Sequence, residues 1–143
     1  MKKTTAQNGK TLYVLDDAEC AELLERGEQA LANVYPKGSS GYAVALKTAA
    51  GNIYEGVSYK SDTYTLTMHS EMTALAHAAI HGETDVVAIT GPNCHICKQL
   101  IHESSLRSGI DIVIVIKEDD GIKQVPISAL MPYAWPEKPK ENL

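Results

Sequence analysis

Residues 69–100, "HSEMTALAHAAIHGETDVVAITGPNCHICKQL", place a short apolar run between two segments with helical character. The Ala-rich segment ends at Gly82, a residue typical of helix C-termini. The run "VVAIT" has the length and the β-branched content of a buried strand. A further helix is predicted to begin near Cys94 and to end before Gly109. This stretch therefore predicts helix, strand and helix in succession, which is the centre of an α/β fold.

The flanking segments extend the pattern in both directions. Asp16 and Asp17 are predicted caps of a first helix that runs to about Val34. A hairpin is predicted from "YAVALKT" and "NIYEGVSY", joined through "AAG", and two more strands from "IDIVIVIK" and "IKQVPI", joined through "EDDG". The segment "SALMPYAW" is predicted to add a last helical turn. Right-handed crossovers in the strand–helix–strand units make the central strands parallel, with helices on both faces of the sheet.

The chain of 143 residues has the length of one domain, with a polar arm at about 1–15 and a Pro/Lys/Glu tail at about 136–143. Its formal net charge of −5 offers no basic surface to a nucleic acid polymer or an anionic membrane. It contains no apolar run of the roughly 18 residues that a membrane span needs. We read no secretion signal, and the three cysteines form an odd set. A cytoplasmic protein without a disulfide framework is therefore expected.

Two cysteines, Cys94 and Cys97, stand three positions apart at the predicted start of the third helix. At this spacing both sulfurs share one helix face, and a helix N-terminus lowers the pKa of a thiol toward the thiolate that binds a metal. Taken alone, the pair is compatible with a disulfide, redox exchange, a structural zinc or a catalytic zinc. A thioredoxin-like motif leaves the "HSE" motif at 69–71 unexplained, and a structural zinc needs a fourth protein ligand.

The second predicted helix opens with His69 and Glu71, which converge only if the first turn is loosely wound. Helices that follow parallel strands begin at the same edge of a sheet. The imidazole of His69 and the thiolates of Cys94 and Cys97 are then three zinc ligands that leave a fourth position for water. A carboxylate beside that water can accept its proton. The residues therefore point to hydrolytic attack on an unsaturated carbon.

This pair of motifs, His-Ser-Glu and then Cys-x-x-Cys about 22 residues later, resembles the zinc-dependent cytidine deaminase superfamily. Further similar segments are "YAVALKT", "GNIYEGVSY", "SDTYTLTMHSE", "CHICKQLIHE" and "ALMPYAW", so that the resemblance covers roughly Leu23 to Trp135, in the size class of the small cytidine and blasticidin S deaminases. The resemblance implies a three-layer α/β/α sandwich with a mixed sheet of about five strands.

The resemblance also implies a reaction and the residues that perform it. Zinc held by His69, Cys94 and Cys97 activates water, and Glu71 moves protons to the ring nitrogen and to the leaving ammonia. The substrate is a small-molecule amino-heterocycle with a cytosine-like ring, such as cytidine or deoxycytidine, and the backbone N–H of Ser70 or of Cys94 orients it. Alternatives are a blasticidin S-like antibiotic, a nucleotide, or a zinc-stabilised binding protein without turnover.

Two departures from the family pattern concern the metal site. Small cytidine deaminases usually have Cys where this chain has His69, and Arg directly after the glutamate, where this chain has Met72. Two thiolates and a neutral imidazole leave a divalent zinc at net charge zero, so the guanidinium is not needed. Asn93 separates Pro92 from Cys94, where the family has Pro and Cys together, and the sequence supplies no reason for it.

The substrate side departs further. The ribose-binding N-x-E of the family falls on Ser58-Tyr59-Lys60, and an ammonium cannot accept a hydrogen bond from a sugar hydroxyl. Lys60 is therefore predicted to favour an anionic substituent such as phosphate or carboxylate. Tyr42 stands at the family's aromatic position and is a candidate for the pocket wall or for the core.

The remaining candidates are weighed by their surroundings. A homo-oligomer, tetramer or dimer, is implied by the resemblance, and Tyr133 or Trp135 is then expected to complete a neighbouring subunit's site. The fourth ligand of a structural zinc has Cys20 and His95 as candidates, although Cys20 is expected to be a small buried hydrophobe. We expect His77 and His81 to face solvent or an interface, although at i, i+4 they suit a metal, and His102 has no predicted role.

Overall fold

Residues 1–141, the part of the chain that the computed structural model describes, form seven strands and four α-helices. The strands are β1 (Lys2–Thr5), β2 (Thr11–Val14), β3 (Ala43–Thr48), β4 (Ile53–Val57), β5 (Val86–Gly91), β6 (Val113–Glu118) and β7 (Gly121–Pro126). The helices are α1 (Asp17–Ala30), α2 (Ser70–Ile80), α3 (His95–Ser108) and α4 (Ile127–Leu130). Every predicted helix and strand is present.

The main sheet has five strands in the order β4-β3-β5-β6-β7. Strand β3 pairs antiparallel with both β4 and β5, whereas β5 pairs parallel with β6, Ile89 lying opposite Ile114. Strand β7 returns antiparallel to β6. Strands β4, β5 and β6 therefore run in the same direction, which confirms the predicted mixed sheet of about five strands with parallel central members.

Both faces of the sheet are covered, as the apolar strand sequences predict. Around β6, Ile112 and Ile114 pack on one face with side chains from α2, α3 and α4, while Val113 and Val115 pack on the other face with α1. Burial of each such side chain contributes about 1.5–3 kcal/mol. The alternation of two apolar sets along one strand produces three layers, and the α/β/α sandwich is confirmed.

The helix ends follow local capping chemistry. At the start of α1, the Asp16 carboxylate accepts from the Glu19 N–H at 2.7 Å, and the Glu19 carboxylate accepts from the Asp16 N–H at 3.2 Å, which is a capping box. Helix α1 ends at Ala30, earlier than predicted, and a 3₁₀ turn at Leu31–Asn33 follows. Helix α3 ends at Gly109, which has φ 72°. Helix α4 begins one residue before the segment 128–135, in which a last helical turn was predicted, and covers its first three residues.

The polar arm at about 1–15 contains two strands that the sequence did not predict. Strands β1 and β2 form an antiparallel hairpin that is hydrogen-bonded to the chain at 109–111. The Thr11 N–H donates to the Gly109 carbonyl at 3.0 Å, and the Asp111 N–H donates to the Thr11 carbonyl at 2.8 Å. The run "KKTT" is exposed throughout and has no apolar alternation. Its pairing with β2 is made by backbone atoms, which the side-chain pattern does not reveal. The last two residues of the predicted tail, 142–143, lie outside the described residues.

Within residues 1–141, no helix is both long enough and apolar enough to cross a membrane.

Candidate metal centre and its carboxylate

The starts of α2 and α3 converge at one edge of the sheet. His69 is the N-cap of α2 and Cys94 is the N-cap of α3, and the two helices follow strands β4 and β5, which run in the same direction. His69 has extended backbone angles, φ −73° and ψ 155°. Because it precedes the first helical residue, the helical rotation of about 100° per residue does not fix the direction of its ring relative to Glu71. The loosely wound start required by the sequence is therefore provided by an N-cap position.

The three predicted ligands lie together. His69 Nδ1 is 3.4 Å from Cys94 Sγ and 3.3 Å from Cys97 Sγ, and all three ligand atoms lie within 4.8 Å of one another. A tetrahedral zinc with Zn–S of about 2.3 Å and Zn–N of about 2.0–2.1 Å separates its ligand atoms by roughly 3.5–3.8 Å. The donor set and its spacing thus fit zinc. Cys97 is buried and Cys94 is exposed, so the cluster faces solvent on one side.

One expectation for the thiols was wrong. Burial raises the pKa of the Cys97 thiol, and the negative charge of Glu71 raises the pKa further. For Cys97, these two effects outweigh the helix N-terminus, which favours the thiolate. A cation among the ligand atoms reverses the balance, because a coordinating thiol loses its proton to the metal. Metal binding at Cys97 is therefore coupled to loss of the thiol proton.

Strand β4 holds the start of α2 at very short range through Gly56. A Cβ at position 56 would lie 2.6 Å from the Ala74 Cβ, and closer still to the Ser70 carbonyl oxygen and the Ala74 N. The Thr73 hydroxyl accepts from the Val57 N–H at 2.9 Å and lies 2.8 Å from the Val57 carbonyl oxygen. The first turn of α2, with His69 and Glu71, is thereby anchored to a core strand.

The carboxylate of Glu71 is buried and each of its oxygens has a hydrogen-bond donor. The Ser70 hydroxyl donates to Oε1 at 2.8 Å, and the Asn93 amide donates from Nδ2 to Oε2 at 2.9 Å. Sequence reasoning treated Ser70 as a backbone contact for substrate and left Asn93 without a role. The feature of the sequence that could have indicated a role for Asn93 is its position, one residue before the candidate ligand Cys94.

The other predicted substrate-binding residues shape the loop at 35–42. Ser58 is buried, and its hydroxyl accepts from the Tyr42 N–H at 2.9 Å. The Lys60 ammonium donates to the Ser40 carbonyl. The side chain of Tyr42 is 78% exposed, so the core alternative for this residue is excluded. The Ser70 hydroxyl thus contacts the Glu71 carboxylate, whereas the polar side-chain atoms of Ser58 and Lys60 contact the backbone of this loop.

The remaining histidines and the third cysteine are placed elsewhere. Cys20 is buried against the opposite face of the sheet from α3, with Leu23 and Val113 among its neighbours. His77 Nδ1 and His81 Nδ1 donate to the carbonyls of Glu55 and of His77 at 2.9 Å and 3.0 Å. His95 is exposed, and His102 Nε2 lies 2.9 Å from the Pro136 carbonyl oxygen.

These placements bear on the choice between a structural and a catalytic zinc geometry. Within residues 1–141, the group of His, Cys and acidic side chains close enough to share a metal consists of His69, Cys94 and Cys97. Neither Cys20 nor His95, the candidates for a fourth ligand, belongs to this group, and Cys20 is the small buried hydrophobe that was expected. Three protein ligands with a buried carboxylate beside them are the pattern of a site that keeps one coordination position open.

Comparison with known proteins agrees with this geometry. A family model described as the cytidine and deoxycytidylate deaminase zinc-binding region matches residues 16–115, which include all three ligands and Glu71. The chain belongs to this family. Zinc is accordingly the metal indicated both by the family and by the His-Cys-Cys group.

Individual relatives add detail. A cytidine deaminase from Shewanella loihica is 32% identical over 93 residues, which cover 62% of this chain and 30% of that protein. The chain thus matches less than a third of the length of this curated relative. The crystal structure of cytidine deaminase from Burkholderia pseudomallei has a TM-score of 0.67 at 21% identity and covers 80% of this chain and 98% of that chain. For the cytidine deaminase from Mycobacterium leprae the TM-score is 0.63 at 21% identity, with 78% and 96% covered. These structures confirm the fold.

Proposed function

We propose that this chain is a zinc-dependent hydrolase that removes the amino group from a cytosine-like ring, as in cytidine or deoxycytidine, and releases ammonia. The observation that carries this proposal is the buried carboxylate of Glu71 at the start of α2, next to three ligand atoms that lie within 4.8 Å of one another. The family description and the names of the relatives support the cytidine type of substrate.

His69, Cys94 and Cys97 would hold the metal, and zinc so bound supplies Lewis-acid activation of a water molecule. Glu71 accepts a proton from the attacking water and delivers it to the ring nitrogen. It then takes the remaining proton of the added hydroxyl group, which becomes the oxo group, and delivers that proton to the departing amino group. A C–O bond forms and the C–N bond breaks. The amino compound and one water molecule give the oxo product and one ammonia molecule, and neither an oxidant nor a reductant is needed.

The charges at the site support a two-thiolate centre. Two thiolates and a neutral imidazole balance the charge of a divalent zinc, and the residue after Glu71 is the uncharged Met72. Each oxygen of Glu71 accepts from one neutral donor, Ser70 or Asn93. A carboxylate oxygen has two lone pairs, so each oxygen keeps one position for a proton in transit.

A second part of the proposal concerns the substituent on the ring. We propose that Lys60 favours a substrate with an anionic group, a phosphate or a carboxylate. Its ammonium has three donors, and the Ser40 carbonyl accepts from it. The ammonium and Tyr42 flank the same loop, where Ser58 holds the Tyr42 backbone. Ser58 and Lys60 do not supply the two hydrogen-bond acceptors with which the family binds an unmodified ribose.

A homo-oligomer, tetramer or dimer, is also proposed. Tyr35 and Tyr59 are both 47% exposed and stack with ring centroids 4.2 Å apart, and Tyr59 pairs through its backbone with Met68, which is 43% exposed. Tyr133 and Trp135 are exposed as well. Adjoining apolar side chains at the surface are typical of protein interfaces. Analytical ultracentrifugation of the wild-type chain tests this part, and a monomer at all concentrations contradicts it.

Residues 1–143 are proposed to act as one domain in the cytoplasm. The support for this compartment is that Cys20, Cys94 and Cys97 are free thiols, which a reducing environment preserves.

The test of the proposed activity combines metal analysis with ammonia release over a panel of amino-heterocycles: cytidine, deoxycytidine, their monophosphates and blasticidin S. We expect about one zinc per chain and release from at least one member of the panel. Replacing the carboxylate in Glu71→Ala should retain the zinc and lower kcat by about 10²- to 10⁴-fold, because it removes the proton carrier.

Two results would contradict the proposal. A Glu71→Ala variant that binds zinc and turns over at the wild-type rate would refute the proton-carrier role. A zinc-loaded wild type that releases ammonia from no member of the panel would favour a zinc-stabilised binding protein instead.

A further inference from the structure

The amide of Asn93 lies directly behind the carboxylate of Glu71. Its Nδ2 donates to Glu71 Oε2 at 2.9 Å and to the Thr90 carbonyl at 3.1 Å. Both partners are acceptors, so the orientation of the amide follows from them: the NH₂ group faces Glu71 and Thr90, and the carbonyl faces away. Asn93 is 8% exposed, so most of its surface is removed from solvent.

The other end of this amide is unsatisfied. Within residues 1–141, Asn93 Oδ1 is a buried side-chain oxygen without a hydrogen-bond partner. It occupies the space above Gly91, where a Cβ would lie 2.8 Å from Asn93 Oδ1 and 2.5 Å from the Ile114 Cγ2. A buried carbonyl without a donor destabilises the folded state, so Asn93 is not explained by stability. The compensating interaction is at the Nδ2 end, on Glu71.

A carboxylate that transfers protons needs a defined orientation. Rotation about the last torsion of a glutamate has broad minima, so the aliphatic part of Glu71 does not fix the positions of its oxygens. Ser70 holds Oε1 and Asn93 holds Oε2, and these donors come from two different helix starts. Asn93 is also joined by the chain to the ligand Cys94. The hydrogen bond therefore links the position of the proton carrier to the position of the metal ligands.

We propose that Asn93 is a positioning residue that orients the carboxylate of Glu71 for proton transfer, an inference that rests on the function proposed above. It gives a role to the residue that separates Pro92 from Cys94. The amide acts through Glu71 and not as a proton donor to the substrate. Loss of the amide is expected to affect the chemical step more than substrate binding, because a misplaced proton carrier alters the transition state and leaves ground-state contacts in place.

The test uses the full-length, zinc-loaded chain with Asn93→Leu, which keeps the side-chain shape and removes both the Nδ2 donor and the unsatisfied oxygen. We expect kcat to fall by about 10- to 100-fold, the range typical of residues that orient a site through a second residue, with KM changed by less than about 3-fold. Zinc should stay near one per chain, and the melting temperature should not fall. The smaller replacement Asn93→Ala, measured in the same way, guards against an Asn93→Leu variant that fails to fold.

A matched control is available at Asn52, in the turn between β3 and β4, whose Nδ2 donates to the Glu83 carboxylate at 2.8 Å at the edge of the sheet opposite the metal site. Asn52→Ala removes an amide–carboxylate hydrogen bond of the same kind and is expected to leave kcat unchanged. A readout without turnover is the ¹³C carboxyl resonance of Glu71, assigned by its absence in Glu71→Gln. This resonance should move in Asn93→Leu and stay in place in Asn52→Ala.

Three outcomes overturn this inference, and they differ from one another. A kcat within about 2-fold of wild type in both Asn93 variants shows that the amide does not assist proton transfer. A fall in kcat that accompanies loss of zinc shows that Asn93 supports the ligands and not Glu71. A wild type that binds zinc and releases no ammonia refutes the proposed function itself, and the inference with it.

Discussion

The metal edge and the neighbouring loops are built in contrasting ways. At the metal edge, Ser70 and Glu71 are buried, and the start of α2 lies against Gly56 of a core strand. In the loops at 35–42 and 58–68, Tyr42 is 78% exposed and Tyr64 is 90% exposed. Side-chain atoms at the metal edge contact each other, whereas those of Ser58 and Lys60 contact loop backbone. The contrast teaches that the candidate metal ligands and Glu71 stand on packed helix starts, whereas the residues proposed to select the substrate lie in segments with less packing.

The departures from the family pattern also fall into two groups, one at the metal edge and one in the loops. At the metal edge, His69 and Met72 change together and leave a charge-balanced zinc site. In the loops, Ser58 and Lys60 stand where the family has its ribose-binding pair, and we propose that this exchange changes which substituent is accepted. A rigid edge tolerates few arrangements of ligand atoms, whereas surface loops accept many sequences. The following predictions, from the largest expected effect to the smallest, test this division.

The first prediction concerns a ligand at the metal edge. Structural four-ligand zinc sites bind with about 10–16 kcal/mol, or roughly 2.5–4 kcal/mol per ligand, so His69→Ala should weaken zinc binding by on the order of 10²- to 10³-fold. Competition with a chelator of known affinity measures this change. The matched variant His95→Ala removes an exposed histidine from the start of α3 and should leave zinc affinity unchanged. Stoichiometric zinc at wild-type affinity in His69→Ala would remove His69 from the ligand set.

The second prediction concerns the packing that holds the metal edge. In Gly56→Ala the new Cβ overlaps the backbone of α2, so the variant should lose about 3 kcal/mol of unfolding free energy, the upper end for overpacking. Chemical denaturation measures the loss, and zinc affinity should fall as well because His69 moves with α2. The control Gly51→Ala meets nothing within 4 Å and is disfavoured by its φ of 92°, so it should lose about 1 kcal/mol and keep its zinc. Equal losses in both variants would mean that the close approach of α2 is unimportant.

The third prediction moves to the loops. Lys60→Glu should shift the preference between a nucleoside and its monophosphate by about 10-fold toward the neutral substrate, because a charged hydrogen bond to the anionic group is lost. The ratio of the two kcat/KM values measures the preference. Lys60→Gln keeps a donor for the Ser40 carbonyl and should give an intermediate ratio with unchanged zinc. An unaltered ratio in Lys60→Glu would assign Lys60 to loop structure alone.

The smallest effect is expected on the far side of the sheet. Asp16→Ala removes the side-chain acceptor of the capping box of α1 and should cost about 1 kcal/mol of stability. Because α1 packs on the face opposite α2 and α3, kcat and zinc content should match the wild type. Thermal unfolding and the ammonia assay measure the two quantities. A fall in kcat without zinc loss would show that the two faces of the sheet are coupled.

Much of this architecture was predictable from local patterns. The alternation of Ile and Val before and within β6 requires two buried faces, and helices must cover both. The N-terminal hairpin was not predictable, because "KKTT" has no apolar face and pairs through backbone atoms with "TLYV", which in turn bonds to residues 109–111. The pKa of Cys97 was predicted in the wrong direction, since burial and the proximity of Glu71 exist only in the folded chain.

The sequence by itself determined the helix–strand–helix order around residues 69–100 and pointed to three candidate ligands, His69, Cys94 and Cys97, and to the carboxylate of Glu71. Residue type and spacing carry that information, because metal chemistry selects imidazole and thiolate and because helical periodicity is local. Only the tertiary structure decided that Ser70 and Asn93 hold Glu71 and that Ser58 and Lys60 contact the loop backbone. Those hydrogen bonds join residues from separate elements, and their partners are fixed by how closely α2 and α3 pack on the sheet.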